Sequence, residues 1–153
     1  WKRPQETAKM FRGKWFISGD CFSKDEDGYF WLAGREDDII TSFGYRVSPM
    51  EVERVLGGHP VVHECAVTGI GVGEDKTITT AFVVLHPGRH QYAKLKQELL
   101  EHTHKRLAEY KCPREIVFLE SLPKTANGKV QRKVLRESWS TNEMPNHPIG
   151  GDR

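Results

Sequence analysis

Apolar residues along this chain come in short blocks, and the spacing within each block names the element it builds. Trp15-Phe16-Ile17 begins the first strand-like run. The turn-forming Asp25-Glu26-Asp27-Gly28 then leads into Tyr29-Phe30-Trp31-Leu32, so residues 15 to 33 are predicted as β-hairpin material. Ile39–Thr41 and Tyr45–Val47 flank Gly44 and predict two short strands. Ser48-Pro49 opens a helix that reaches Leu56: a capping hydroxyl, a proline suited to the first turn, and Glu51 favourably charged near the helix start. Gly57-Gly58 ends it. Val61–Ile70 and Thr77–Leu85 are rich in β-branched residues and predict the central strands, the second stopped by His86-Pro87-Gly88. Residues 92 to 109 set Leu95, Leu99 and Leu100 at helical spacing and predict one long amphipathic helix. Pro113 precedes a strand over Glu115–Leu119, and Gln131–Glu137 is helix-like. Residues 1 to 10 are polar and contain Pro4. The segment after Ser140, with Pro145, Pro148, Gly150 and Gly151, is predicted to be disordered. The strand-helix-strand-strand-helix-strand order from about residue 38 predicts an α+β domain, a small mixed β-sheet with packed helices.

Composition narrows the function classes. The 153 residues have room for one modest domain, and a 37% hydrophobic and 29% charged make-up fits a globular protein with a small core. A formal charge of +2 implies no general affinity for nucleic acid. No apolar run approaches the roughly 18 residues of a membrane span. The three cysteines, Cys21, Cys65 and Cys112, are far apart and form no C-x-x-C. They predict free thiols in the cytoplasm or another reducing compartment, without a zinc site or disulfide frame. The chain opens on Trp1 rather than methionine and is expected to be a piece of a longer polypeptide.

The run Leu122-Pro123-Lys124-Thr125-Ala126-Asn127-Gly128-Lys129 carries the most chemistry. Pro123 restricts φ, and Asn127-Gly128 is a turn pair that tolerates positive φ. Lys129 is therefore expected at the tip of a tight loop, where a lysine can be aimed at a phosphate or carboxylate. Alone, the segment reads as an ordinary Asn-Gly turn with a solvated lysine. Upstream lie Ser18-Gly19-Asp20, Asp27-Gly28-Tyr29-Phe30, Gly34-Arg35-Glu36-Asp37-Asp38-Ile39-Ile40, Phe43-Gly44-Tyr45-Arg46-Val47-Ser48-Pro49 and Glu51-Val52-Glu53. In order, spacing and residue type, residues 1 to 138 resemble the closing portion of the adenylate-forming (AMP-binding) enzymes. That family includes acyl-CoA synthetases, firefly luciferase and peptide-synthetase adenylation domains. Tyr110-Lys111-Cys112-Pro113-Arg114 resembles a stretch of the medium-chain, acetate and aromatic-acid acyl-CoA synthetases.

The resemblance implies an acid-thiol ligase. Such an enzyme joins a carboxylic acid to ATP, releases pyrophosphate, and passes the acyl-adenylate to the thiol of coenzyme A, with Mg2+ bound alongside ATP. Both steps move negative charge near phosphate oxygens and call for positioned cations. Lys129 matches the family lysine that bridges carboxylate and adenylate phosphate, and Asp20 the aspartate that holds the ribose hydroxyls. Arg35 matches a ribose or phosphate contact, and Arg46 a phosphate contact. Asp37 matches the hinge about which the small domain swings between the two half-reactions. Phe43, Gly44, Tyr45, Tyr110, Lys111 and Cys112 match positions lying against CoA. Phe43 departs from the small serine or threonine of many relatives. Glu74-Asp75-Lys76 departs from their Arg-Gly-Glu turn. The implied organisation is residues 1–34 as the end of a large N-terminal domain, 35–38 as hinge, 39–138 as C-terminal domain and 139–153 as tail. The partners are then the chain's own large domain, the acid, ATP and CoA, and the fragment alone is expected to be inactive.

Two alternatives use the same residues. One is an adenylation domain that loads a carrier protein. The other is a non-catalytic module whose Lys129 loop is an interaction site or the target of a lysine acyltransferase. Without the family, Asp20 is a Gly-Asp turn, Arg35 a surface arginine, Glu36-Asp37-Asp38 a solvated face, and Tyr110–Pro113 a helix end. Gly69-x-Gly71-x-Gly73 lacks the dinucleotide-binding spacing and is expected to be a loop. His102-x-His104 would splay apart on a helix and binds no metal.

Overall fold

The chain divides between Asp37 and Asp38 into two units. A computed structural model describes residues 2–73 and 76–140.

The first unit is a set of small local structures. Helix α1 (Pro4–Lys9) has its proline in the first turn and buries no residue. Such a short polar stretch carries no apolar stripe to announce it, and the sequence pattern does not predict this helix. Strands β1 (Phe11–Arg12) and β2 (Trp15–Phe16) pair antiparallel, as do β3 (Asp20–Lys24) and β4 (Phe30–Arg35). Asp25 builds the β3–β4 turn. Its carboxylate accepts from Tyr29 N at 2.8 Å and from the Trp31 indole at 2.7 Å, and the indole bond holds the Asp25 pKa below its ordinary value. Phe22 faces Leu32 across the ladder and Lys24 faces Phe30, so these side chains share a face. Phe22, Phe30 and Leu32 on it are 54%, 69% and 45% exposed.

The second unit holds the core. A hairpin of β5 (Ile40–Ser42) and β6 (Tyr45–Val47) leads to α2 (Pro49–Gly57). The α2 cap is the one the sequence predicts, with the Ser48 hydroxyl accepting from Glu51 N at 3.4 Å. Strands β7 (Val62–Gly71) and β8 (Thr77–Leu85) pair antiparallel; after α3 (Leu95–His104), β9 (Glu115–Phe118) joins β8 in parallel, and α4 (Arg132–Ser140) closes the unit. Alternation along the strands sorts the core onto two faces. Val67, Ala81 and Ile116 stand in one row and pack with Ile40, Val47, Val52, Leu56, Leu95 and Leu99. Their neighbours Ala66, Phe82 and Val117 stand in the row beside them and pack with Leu122, Leu135 and Trp139. The middle strand β8 is buried on both faces from Thr79 to Val84, which explains why its apolar stretch over residues 81–85 does not alternate with exposed polar residues.

Three expectations change. The helix predicted over 92 to 109 is α3 alone. Ala108 is extended (ψ 145°), and Glu109–Lys111 is a separate 3-10 turn ending at Cys112, which is extended before Pro113. Gly69 and Gly71 lie within β7 rather than in a loop, paired with Thr79 and Thr77 of β8, and Ile40 and Thr77 leave no room for a side chain at Gly69. The final helix runs through Trp139 and Ser140, past the expected start of the tail, because Trp139 is buried against Phe82. The rest of the expected tail, and Glu74-Asp75, lie outside the described residues.

Candidate functional site

Lys129 stands beside a pinned turn. Gly128, at φ +78°, donates to Thr125 O at 2.8 Å, and Thr125 N donates to Lys129 O at 2.8 Å. The Thr125 hydroxyl accepts from Lys129 N at 3.1 Å. Below the turn, Lys124 bridges Val130, and Gln131 N donates to Pro123 O at 2.8 Å. Lys129 is thus on the flank of the turn, not at its tip, because Thr125–Gly128 makes the reversal. Its side chain is exposed and has no hydrogen-bond or ion-pair partner among the described residues. A fixed backbone carrying an uncommitted ammonium is suited to an anionic ligand.

A second group gathers where the β5–β6 hairpin meets the segment before β9. Ser42 pairs with Tyr45, so Phe43-Gly44 is a two-residue turn, with φ of +49° and +83°. The turn itself requires Gly44, and a side chain there would meet nothing within 4 Å. Phe43 occupies left-handed space at a cost of about 1–2 kcal/mol for an L-residue. Its ring is covered by the Arg114 guanidinium, 4.5 Å from the centroid, a contact worth about 0.5–1 kcal/mol at an exposed site. Tyr45 stacks on Tyr110 at 4.7 Å. Lys111 donates to both oxygens of Glu51 at 2.7 and 2.9 Å, and that bond raises the Lys111 pKa. The result is an exposed strip of aromatic faces edged by cations. Arg46 lies exposed on β6. Cys112 differs from its neighbours: it is 4% exposed, donates to Ala108 O at 3.6 Å, and its pKa is raised by burial. Only its backbone can meet a ligand.

In the first unit, Asp20 and Arg35 are directly opposite in the β3–β4 ladder, with Arg35 Nη1 3.7 Å from Asp20 Oδ1. Arg35 Nε also donates to Asp37 Oδ1 at 2.9 Å. The Ser18 hydroxyl accepts from Asp20 N at 3.2 Å, and Gly19 is at φ +80° with the Arg35 guanidinium alongside. Three candidate residues from two separated motifs are therefore neighbours. These ion pairs are well exposed, and each is worth no more than about 1 kcal/mol. Asp37 falls within a 3-10 turn, Glu36–Asp38.

Sequence reasoning missed Arg132, Arg114 and the role of Glu53. Arg132 bonds to Asp38, Glu53 and Val67 O, contacts made between positions far apart in the chain that no local pattern reveals. Among the described residues, no cluster of three or more His, Cys, Asp or Glu could hold a metal ion, and no helix is long and apolar enough to cross a membrane.

The chain is similar to several known proteins. Acyl-coenzyme A synthetase ACSM3 of Rattus norvegicus, described as mitochondrial, is 46% identical over 141 residues, covering 90% of this chain and 24% of that protein. The human ACSM5 enzyme of the same description is 43% identical over 139 residues, covering 89% of this chain and 24% of its own length. This chain thus spans about a quarter of the length of these relatives. Among solved structures, the anthranilate CoA ligase AuaEII in complex with anthranoyl-AMP is 40% identical with a TM-score of 0.84, covering 90% of this chain and 27% of that one. A benzoate CoA ligase from Burkholderia xenovorans LB400 is 43% identical with a TM-score of 0.79, covering 89% and 27%. Residues 51–129 match the AMP-binding enzyme C-terminal domain, from the first turn of α2 to the turn lysine. The chain belongs to that family.

Proposed function

We propose that this chain is the C-terminal part of an ATP-dependent acyl-CoA synthetase. The whole enzyme converts a carboxylic acid and ATP to an acyl-adenylate and pyrophosphate, then transfers the acyl group to the CoA thiol and releases AMP. The observation that carries this is Lys129, an uncommitted ammonium on a turn held by backbone bonds on both sides.

In the first half-reaction a carboxylate oxygen attacks the α-phosphorus of ATP, and the P–O bond to pyrophosphate breaks. Lys129 sits between the two anions and lowers their repulsion as they meet. Asp20 accepts from the ribose hydroxyls, Arg35 keeps Asp20 oriented, and Arg46 contacts phosphate. Mg2+ would arrive with the ATP phosphates and neutralise their charge; the described residues offer it no set of ligands of their own.

In the second half-reaction the thiol sulfur attacks the acyl carbon, and AMP leaves through its phosphate oxygen. The chain beyond residue 38 turns about Asp37 and brings the Phe43–Tyr45 turn and Tyr110–Cys112 to the CoA. Stacked rings and backbone suit the uncharged arm of CoA, while Lys111 and Arg114 suit its phosphates. Cys112 contributes backbone alone. The uncovered apolar face of Phe22, Phe30 and Leu32 supports a large N-terminal domain as the partner of the first unit. The three cysteines are free and fit a reducing compartment.

The test is the complete polypeptide assayed with ATP, Mg2+, CoA and a panel of carboxylic acids, following AMP and acyl-CoA. Acyl-CoA should form with at least one acid, and residues 1–153 alone should be inactive. Acylation of a carrier protein with no use of CoA would contradict the proposal, as would activity from the isolated chain.

A further inference from the structure

Arg132 is the first residue of α4, and its side chain is 18% exposed. Each guanidinium nitrogen serves a different element. Nη1 donates to Asp38 Oδ2 at 3.4 Å, Nη2 to Glu53 Oε1 at 2.7 Å, and Nε to Val67 O at 3.2 Å. Glu53 Oε1 also accepts from Val67 N at 2.7 Å, so the arginine, helix α2 and strand β7 meet at one oxygen. Glu53 and Asp38 are themselves only 18% and 25% exposed at their side chains.

This placement is not what the helix alone would choose. A cation in the first turn opposes the helix dipole, whose positive end lies there. Nor is Arg132 needed to dock α4, which is already held by buried Leu135 and Trp139 and by Arg136 donating to the Thr68 hydroxyl at 2.9 Å. What Arg132 adds is a tie between two particular places. At one end is Asp38, the first residue of the second unit. At the other is the Lys129 turn, whose closing bond from Gln131 N to Pro123 O immediately precedes Arg132. A planar guanidinium can satisfy three acceptors in fixed directions, which an ammonium cannot.

We propose that Arg132 is a positioning residue for adenylate formation. It fixes the Lys129 turn to Asp38, so that rotation at residues 35–38 carries the lysine as a rigid attachment rather than at the end of a loose loop. The proposal rests on the adenylation role given to Lys129 above. A lysine displaced by about 1 Å can cost on the order of a hundredfold in rate. Thioester formation, which does not use Lys129, should not depend on the tie.

The experiment measures both half-reactions in the complete enzyme carrying Arg132→Met, Arg132→Lys or Lys129→Ala: pyrophosphate release with acid and ATP, and thioester formation from supplied acyl-adenylate. Arg132→Met should lower the first by roughly a hundredfold and leave the second close to wild type. Arg132→Lys should restore only part of the loss. Equal loss of both, or loss of neither, would overturn the proposal. If Arg132→Met does not fold, Glu53→Gln decides, because it weakens an arm outside the hinge and keeps the bonds from Arg132 to Asp38 and Val67 O; it too must lower the first half-reaction selectively, and an equal or absent effect overturns the idea. Lys129→Ala separates the layers. Intact adenylation in that variant defeats the role of the lysine, whereas its collapse beside an unaffected Arg132→Met defeats only the tie.

Discussion

The rings of Tyr45 and Tyr110 stack with centroids 4.7 Å apart and planes 25° from parallel, joining the β5–β6 hairpin to the 3-10 turn before β9. Both rings remain well exposed, at 55% and 44%. A stack so open adds little to stability, and under the proposed function it is a flat surface for CoA. Tyr110→Ala should cost about 1 kcal/mol of stability. It should raise the KM for CoA about tenfold, which is about 1.4 kcal/mol of binding, and leave adenylate formation unchanged. Titration of CoA in the complete enzyme checks this, and an unchanged KM would remove the pair from the CoA surface.

Asp37 carries the proposed hinge role. Its carboxylate accepts from Arg35 Nε, and it lies within the Glu36–Asp38 turn. Asp37→Pro would lock φ and push Glu36 away from helical backbone angles. One half-reaction should be lost far more than the other, because only one pose of the second unit survives. An overall rate equal to wild type would argue against a hinge here.

Gly69 offers a test of packing alone. A methyl group added to it would meet Thr77 Cγ2 at 2.7 Å and Ile40 Cγ2 at 3.0 Å, both within the second unit. Gly69→Ala should therefore destabilise the protein by about 1–3 kcal/mol, as overpacked interiors do. Chemical denaturation would register the loss as a lower midpoint with an unchanged slope.

Two of the cysteines should resist modification. Burial, with the nearby Glu53 and Glu64 charges, pushes the Cys65 pKa from 9.0 up to about 12, and burial likewise raises that of Cys112. Both stay as thiols at pH 8, so iodoacetamide should label them only after unfolding. The pH dependence has a definite sign. A folded pKa above the unfolded one gives a contribution that is constant below the unfolded value and lost as pH rises toward the folded one. Cys65 should thus weaken the fold above about pH 9, and Cys65→Ala should lose less of its Tm between about pH 9 and pH 11 than wild type. Equal alkaline losses would place the effect elsewhere.

Local chemistry was legible in the residues, and long-range chemistry was not. Ser48-Pro49 announced α2 because cap and proline act within one turn. The β-branched-rich run of β8 announced a central strand, and the fold covers it on both faces. The same logic overextended α3: the leucine spacing says nothing about the backbone at Ala108, and the extension of Cys112 comes from the proline after it. It also put Lys129 at the tip of its turn, since the Thr125 hydroxyl that pairs with its backbone is an ordinary loop residue by composition. Arg132 was invisible for a different reason. Its meaning lies in Asp38, Glu53 and Val67, which only the folded sheet brings to it. Likewise nothing in the sequence sets Arg114 over Phe43 or hides the side chain of Cys112.

The most direct test of the account is Lys129→Ala in the complete enzyme, with the two half-reactions measured separately. Adenylate formation from acid and ATP should collapse, while thioester formation from pre-made acyl-adenylate largely survives. Equal loss of both half-reactions, or full retention of the first, would contradict the role assigned to this lysine.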